Sequence, residues 1–427
     1  MESMEQTVSP ARKIIGELIV PGELPPAEQA LLLAVMAEGE SHIRNAPPAI
    51  GRLANLLSGL GARIARKGRE LTIQGSGLRG FTPAGSILDL SDMGDIVPPL
   101  LALLVGQTFT SRVKLSAEQE HCRQLFTLLA PMSAQVGQEM EDTFAVGGAK
   151  QLVGVAHEPV DVEPAVKLAL LIAGLYAEGT TSLRESAGNR NRMERFLRER
   201  QVTVERRRQE DSQYLVSIAG GQTFQTCDVD IAGDLRLAYP LMVAALARRG
   251  SDLQVKRVAL RSGQRGFLDL LRQIGAEIAI EDLGNDAVDL AVSYSELIPT
   301  RVAGQRMEKV IEQLPLLAVL ATQTSGEFVI RDVAHLRQGE FDYVAHLFEL
   351  LKQIEARVGE YPEGIVVKGG LPLRGARIDA VDDPGLAMAF AVAGLLAESE
   401  MVIAGCECLD SVYPDFFATL HSLREKR

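Results

Sequence analysis

The sequence predicts a two-domain α/β fold with buried helices inside and sheets outside, and three observations carry that prediction. A small-residue turn recurs at Gly39, Gly106, Gly179, Gly250, Gly326 and Ser399, roughly seventy residues apart, each after an apolar run of helix length. Those runs are apolar around much of their circumference, which suits a helix covered on nearly all sides. At 427 residues the chain exceeds what one hydrophobic core organises, and six units divide into two sets of three.

In chain order, Ile14 to Val20 reads as a strand that stops at Pro21-Gly22. The six apolar helices follow as AEQALLLAVMAEG, VPPLLALLVG, AVKLALLIAGLYAEG, LAYPLMVAALARRG, LPLLAVLATQTSG and GLAMAFAVAGLLAES. Short alternating stretches after the turns, such as Ser41 to Arg44, Ser182 to Arg184 and Glu327 to Arg331, have the period of a half-buried strand. Second, amphipathic helices come next, for example AIGRLANLLSGLGARI, GQRGFLDLLRQIGAEI and FDYVAHLFELLKQIEARV. Strands that end in glycine close several units, at Leu71 to Gly75, Phe144 to Gly148, Leu215 to Gly221 and Ile365 to Gly370. Asp228 to Asp234, a strand and turn, stands between the third and fourth units as a crossing point.

Composition narrows the function classes. The chain is 46% hydrophobic and 23% charged, as ordinary globular proteins are. A net charge of −12 argues against nucleic acid as main partner, because phosphate binding needs a basic surface. No apolar run is long enough to span a bilayer, and the N-terminal residues lack the apolar stretch of a secretory signal, so a cytoplasmic protein without a membrane partner is expected. Cys122, Cys227, Cys406 and Cys408 are too few and scattered for a disulfide framework, and no metal-ligand spacing occurs.

Gly75-Ser76-Gly77-Leu78-Arg79-Gly80 matches GxGxxG, but Phe81-Thr82-Pro83 cannot open the helix that dinucleotide binding requires, so it reads as a turn. Val204 to Arg208 reads as an exposed basic turn. The cluster Ser186 to Arg192 places arginines at a helix start, against the dipole, which fits either a nearby anion or a solvated face.

Several segments together resemble the enolpyruvyl transferase family. They are Val20-Pro21-Gly22 with Ala30 to Ala34, Gly75 to Leu78, Glu312 with Pro315 to Ala321, Leu371 to Arg377, Leu386 to Ala389, and Tyr413 to Phe417. The resemblance runs along essentially the whole chain. It implies an inside-out α/β barrel in each of two domains, built from six βαβαββ-type repeats, three per domain. The domains would be 21–231 and 1–20 plus 232–427, crossing near Pro21 and near Ile231 to Gly233. It also implies a small-molecule ligand in an interdomain cleft and no cofactor; the oligomeric state stays open.

By that resemblance, Glu312 and Glu340 are the catalytic acid/base candidates, and Ser186, Asn189, Arg190, Lys167, Gly94 and Asp383 the candidate substrate contacts. The family's cations are largely replaced, at Leu24, Gln29, Pro98, Glu120, Gly339, Tyr343, Gly385 and Ser411, and its substrate-holding turns become Asp92 to Asp95 and Glu163 to Ala165. Each cation lost removes roughly 1.5–3 kcal/mol of charged hydrogen bonding to an anionic substrate. The expectation is therefore a divergent enzyme acting on an unknown, less anionic substrate. Two alternatives stand beside it. One is a non-catalytic homologue that binds a small molecule or a protein; the other is the family's transfer from phosphoenolpyruvate to shikimate 3-phosphate through an unusual site.

Overall fold

A computed structural model of the chain describes residues 5–148, 151–158, 162–186, 193–209, 213–226, 228–339 and 341–426. The chain divides into two compact units. The N-terminal unit comprises Leu24–Ala46 and Ile50–Ile231; the C-terminal unit comprises Ala232–Arg427 with the residues up to Glu23 and Pro47–Ala49.

Each unit is built on three apolar helices. In the N-terminal unit they are α1 (Leu24–Met36), α2 (Val97–Val105) and α3 (Pro164–Tyr176); in the C-terminal unit, α4 (Leu235–Ala247), α5 (Leu314–Ala321) and α6 (Pro384–Leu396). All nine residues of α2 and all eight of α5 are buried. Each buried Leu or Val contributes about 1.5–3 kcal/mol, so these helices are held by burial rather than by propensity. The two units have separate hydrophobic cores, one around α1 to α3 and one around α4 to α6.

Outside each core lie small mixed sheets with one recurring order. In the second repeat Leu88–Asp89 runs parallel to Thr110–Lys114, which pairs antiparallel with Thr143–Gly147 and through it with Val136–Gln138. The third repeat (Ala156–His157, Thr180–Glu185, Tyr214–Ala219, Val204–Arg208) and the fifth (Arg301–Val302, Glu327–Ile330, Gly364–Lys368, Arg357–Tyr361) copy this order. In the first and fourth the leading strand comes from a distant segment. Val229–Asp230 lies beside Glu38–Arg44, and Ala11–Leu18 lies beside Asp252–Ala259. Among the described residues the sixth repeat has no hairpin of its own. Glu5–Val8 takes that edge beside Met401–Ala404, while Arg424–Lys426 joins Ala11–Leu18.

Glycines end these strands because backbone meets backbone there. The N–H groups of Gly77, Gly148, Gly221 and Gly370 donate to the carbonyls of Ala37, Gln107, Leu175 and Thr322 at the C-terminal ends of α1, α2, α3 and α5. Helix ends leave carbonyls unpaired, and a strand that docks this close satisfies one of them. Gly75 and Gly77 in the GxGxxG match belong to this device, and no helix follows them. One expectation is corrected. Val204–Arg208 is an edge strand rather than an exposed turn, with Arg206 turned inward onto Glu185 at 2.9 Å.

No helix among the described residues is long and apolar enough to cross a membrane.

Candidate active site

In the C-terminal unit the N-terminal ends of α4, α5 and α6 come together. Arg236, second residue of α4, reaches Glu312 in the 3-10 turn that leads into α5. A Cβ built on Gly385 of α6 would lie 3.9 Å from Pro315 of α5. Three positive helix ends at one place favour negative charge. Asp234 and Asp383 meet part of that field, each accepting a backbone N–H as the N-cap of α4 and α6.

Arg236 is the organising cation. Its Nε donates to both oxygens of Asp234 at 3.1 and 3.2 Å and its Nη2 to Oδ2 at 2.7 Å, while Nη1 meets Glu312 Oε2 at 3.4 Å. Asp234's hydrogen bonds hold the guanidinium pKa above its usual value, against the opposing effect of burial. A pocket of about 180 Å³ opens here, lined among others by Arg236, Gln264, Glu308, Lys309 and Glu312. Gln264 and Arg261 both donate to Glu23, at 2.7 and 2.8 Å, and burial pushes that carboxyl up while Arg261 pulls it down. Lys309 is exposed and has no ion-pair partner among the described residues.

The candidates from the sequence are distributed as follows. Glu312 is on this pocket, and its side chain is 66% exposed. Glu340, Asn189 and Arg190 lie outside the described residues, as does Cys227. Ser186 is exposed, just after the strand Thr180–Glu185. Gly94 opens the 3-10 turn before α2 with φ of 54° and open space around it, so its role is conformational freedom. Asp383 has both oxygens engaged, one by Leu386 N and one by the Tyr343 hydroxyl at 3.3 Å.

Lys167 differs most from its expected role as a substrate contact. It is fully buried in α3, with Nζ 2.5 Å from Glu185 and 2.6 Å from Glu194, so its ammonium is consumed inside the N-terminal unit.

In the N-terminal unit the ends of α1 and α2 carry carboxylates. Glu28, in α1, is pushed up to about 8 by burial and then by the charge of Asp95 before α2. A carboxyl whose pKa rises on folding contributes stability that is complete below about 4.5 and lost as pH climbs through about 8. Glu28→Gln is therefore expected to leave stability at pH 4 nearly unchanged and to raise it at pH 9, by up to about 5 kcal/mol. Thermal unfolding across that range measures it; an equal effect at both pH values would refute the assignment.

Sequence reasoning missed Arg236, Lys309 and Glu28. The signal for Arg236 was a lone charge at the start of an otherwise apolar helix; for Lys309, a cation three residues ahead of Glu312.

A family model described as EPSP synthase (3-phosphoshikimate 1-carboxyvinyltransferase) matches residues 8–420. The chain belongs to the EPSP synthase family. Among curated relatives, the 3-phosphoshikimate 1-carboxyvinyltransferase of Shouchella clausii (strain KSM-K16) is 30% identical, covering 99% of this chain and 100% of its own. Those of Synechococcus sp. (strain JA-3-3Ab) and Streptococcus uberis (strain ATCC BAA-854 / 0140J) are 32% and 31% identical over 98% and 96% of this chain and 96% and 97% of their own. EPSP synthase from Acinetobacter baumannii has the same mixed α/β fold, with a TM-score of 0.78, 24% identity and 98% of both chains covered.

These findings overturn the expectation of an unknown, less anionic substrate. Relatives along the whole EPSP synthase family match, each named for the shikimate phosphate reaction, give that expectation no support. Its physical weakness was to count side-chain cations alone. Helix ends that meet at one place, with Arg236 at the start of α4 and Lys309 without an ion-pair partner among the described residues, are charge sources that such a count leaves out.

Proposed function

We propose that this protein is a 3-phosphoshikimate 1-carboxyvinyltransferase that works through an unusual site. The match to that family along residues 8–420, with curated relatives of 30–32% identity, carries the reading. In such a transfer the substrate hydroxyl oxygen bonds to C2 of the enol phosphate and gives up its own proton to the phosphate that will depart, while C3 takes a proton. Phosphate then leaves C2 with its bonding pair, and C3 returns the proton. Glu312, exposed on the pocket and beside Arg236, supplies a carboxylate that gives and retrieves that proton. Arg236, Lys309 and the ends of α4 to α6 supply charge for the anionic groups. A cytoplasmic location fits the free thiols Cys122, Cys406 and Cys408.

One observation favours a second reading, a non-catalytic homologue. Glu28 and Asp95 stand at the ends of α1 and α2, where an anionic substrate would meet negative charge or a proton that must be kept. The deciding measurement is release of inorganic phosphate on mixing the protein with phosphoenolpyruvate and shikimate 3-phosphate. Release that depends on both substrates, and falls about a hundredfold or more in Glu312→Gln, is the expected result. No release, with either substrate still binding by calorimetry, would replace the first reading with the second.

A further inference from the structure

We infer that Arg236 is a specificity-determining residue that binds an anionic group of the ligand, and that Glu312 occupies its open edge as an internal competitor. The guanidinium is a planar fork with two usable edges. Asp234 takes one edge in a short, two-pronged contact, with distances down to 2.7 Å, and itself has only 11% of its side chain exposed. That edge is permanently engaged. The other edge carries Nη1 and faces the pocket, where Glu312 Oε2 is 3.4 Å away. Charged N–H···O bonds favour about 2.7–2.9 Å, so this contact is loose. Glu312 is also 66% exposed and sits in a short turn ahead of α5, free to rotate outward without breaking a backbone hydrogen bond of its own helix.

Of the other charges at the pocket, Asp234 and Lys309 favour the exchange and the exposed Glu308 carboxylate opposes it. Asp234 fixes the fork through side-chain bonds and caps α4 through Arg236 N, so the guanidinium keeps its orientation when Glu312 leaves. Lys309 lines the same pocket without a partner among the described residues and adds a second positive charge. A pocket of about 180 Å³ admits a carboxylate or a phosphate group and little more. The incoming anion takes the Nη1 edge and Glu312 is released from its ion pair, so binding sets free the carboxylate that the proposed reaction uses. This inference deepens the proposed function and rests on it for which anion is bound; recognition of an anion by Arg236 is tested apart from turnover.

The experiment is calorimetric titration of the full-length protein with phosphoenolpyruvate, and separately with inorganic phosphate. Wild type is compared with Glu312→Gln, Arg236→Gln, Arg236→Lys and the Glu312→Gln/Arg236→Gln double variant, each checked for unchanged thermal unfolding. Glu312→Gln removes the competitor and is expected to tighten phosphoenolpyruvate binding by about tenfold. Arg236→Gln is expected to weaken it by about tenfold or more, Arg236→Lys to recover part of the loss, and the double variant to behave as Arg236→Gln. An unchanged or weakened affinity in Glu312→Gln overturns the competitor role, and Arg236→Gln with wild-type affinity overturns the recognition role. If Glu312→Gln binds neither anion, the inference fails outright. Tightening in Glu312→Gln with no phosphate release by wild type would leave the inference standing and sink the proposed reaction.

Discussion

Lys167→Met is expected to cost the N-terminal unit about 3–5 kcal/mol. The lysine has no exposed side-chain surface, and its two partners, Glu185 and Glu194, have 1% and 7%. Methionine keeps the packing volume but leaves two carboxylates buried without their shared cation. Arg206 and Arg198 remain, at 2.9 and 3.0 Å, yet each holds only one of them, and Arg198 is half exposed. Arg206 also lies 3.8 Å above the Tyr214 ring, which limits how far it can move to compensate. The loss should appear as earlier urea unfolding and as faster amide exchange in α3, the strand ending at Glu185 and the helix Met193–Glu199, since Lys167 joins all three. Lys167→Arg should recover part of it. A cost below about 1 kcal/mol would mean that the two glutamates are solvated or neutral and that the network holds nothing together.

Gly220→Ala is expected to destabilise the same unit by about 3 kcal/mol, and Gly221→Ala by only about 1 kcal/mol. A methyl group on Gly220 would lie 1.7 Å from the Ala177 carbonyl oxygen, a backbone atom that no side-chain rotation can clear. The third-repeat sheet would have to back away from α3 and give up the Gly221 N–H bond to the Leu175 carbonyl. Gly221 itself has φ of 76° and nothing within 4 Å of a built Cβ, so alanine there meets a backbone preference and no clash. Chemical denaturation of both variants ranks them; an equal or reversed order would mean that close approach of strand and helix is not what the glycine is for.

The same pair of positions shows how far a sequence can be read. Glycine at the end of one strand after another was visible as a pattern, because copies of one unit keep their turn positions. What each glycine touches was not visible, because the Ala177 carbonyl lies about forty residues earlier, just past the end of the neighbouring helix. Lys167 is a sharper case. By spacing it belonged to an apolar helix and by family position to a substrate site. Burial against Glu185 and Glu194 is a tertiary fact, since the three residues are brought together only when α3, a strand and a short helix pack.

The site was legible in part. Glu312 could be found because a carboxylate just before an apolar helix stands at a family position, and the structure puts it on a pocket. Arg236 could not be found in that way, because seventy-six residues separate it from Glu312. Hydrophobic periodicity and repeat spacing are local properties of a chain, and they were enough for six buried helices, whereas their grouping in threes inside the sheets rested partly on the family resemblance. Which charges face one another depends on how helix ends are brought side by side. A count of lost lysines and arginines along the sequence therefore misjudged the substrate, whereas the gathered ends of α4, α5 and α6, with Arg236 between Asp234 and Glu312, exist only in the folded chain.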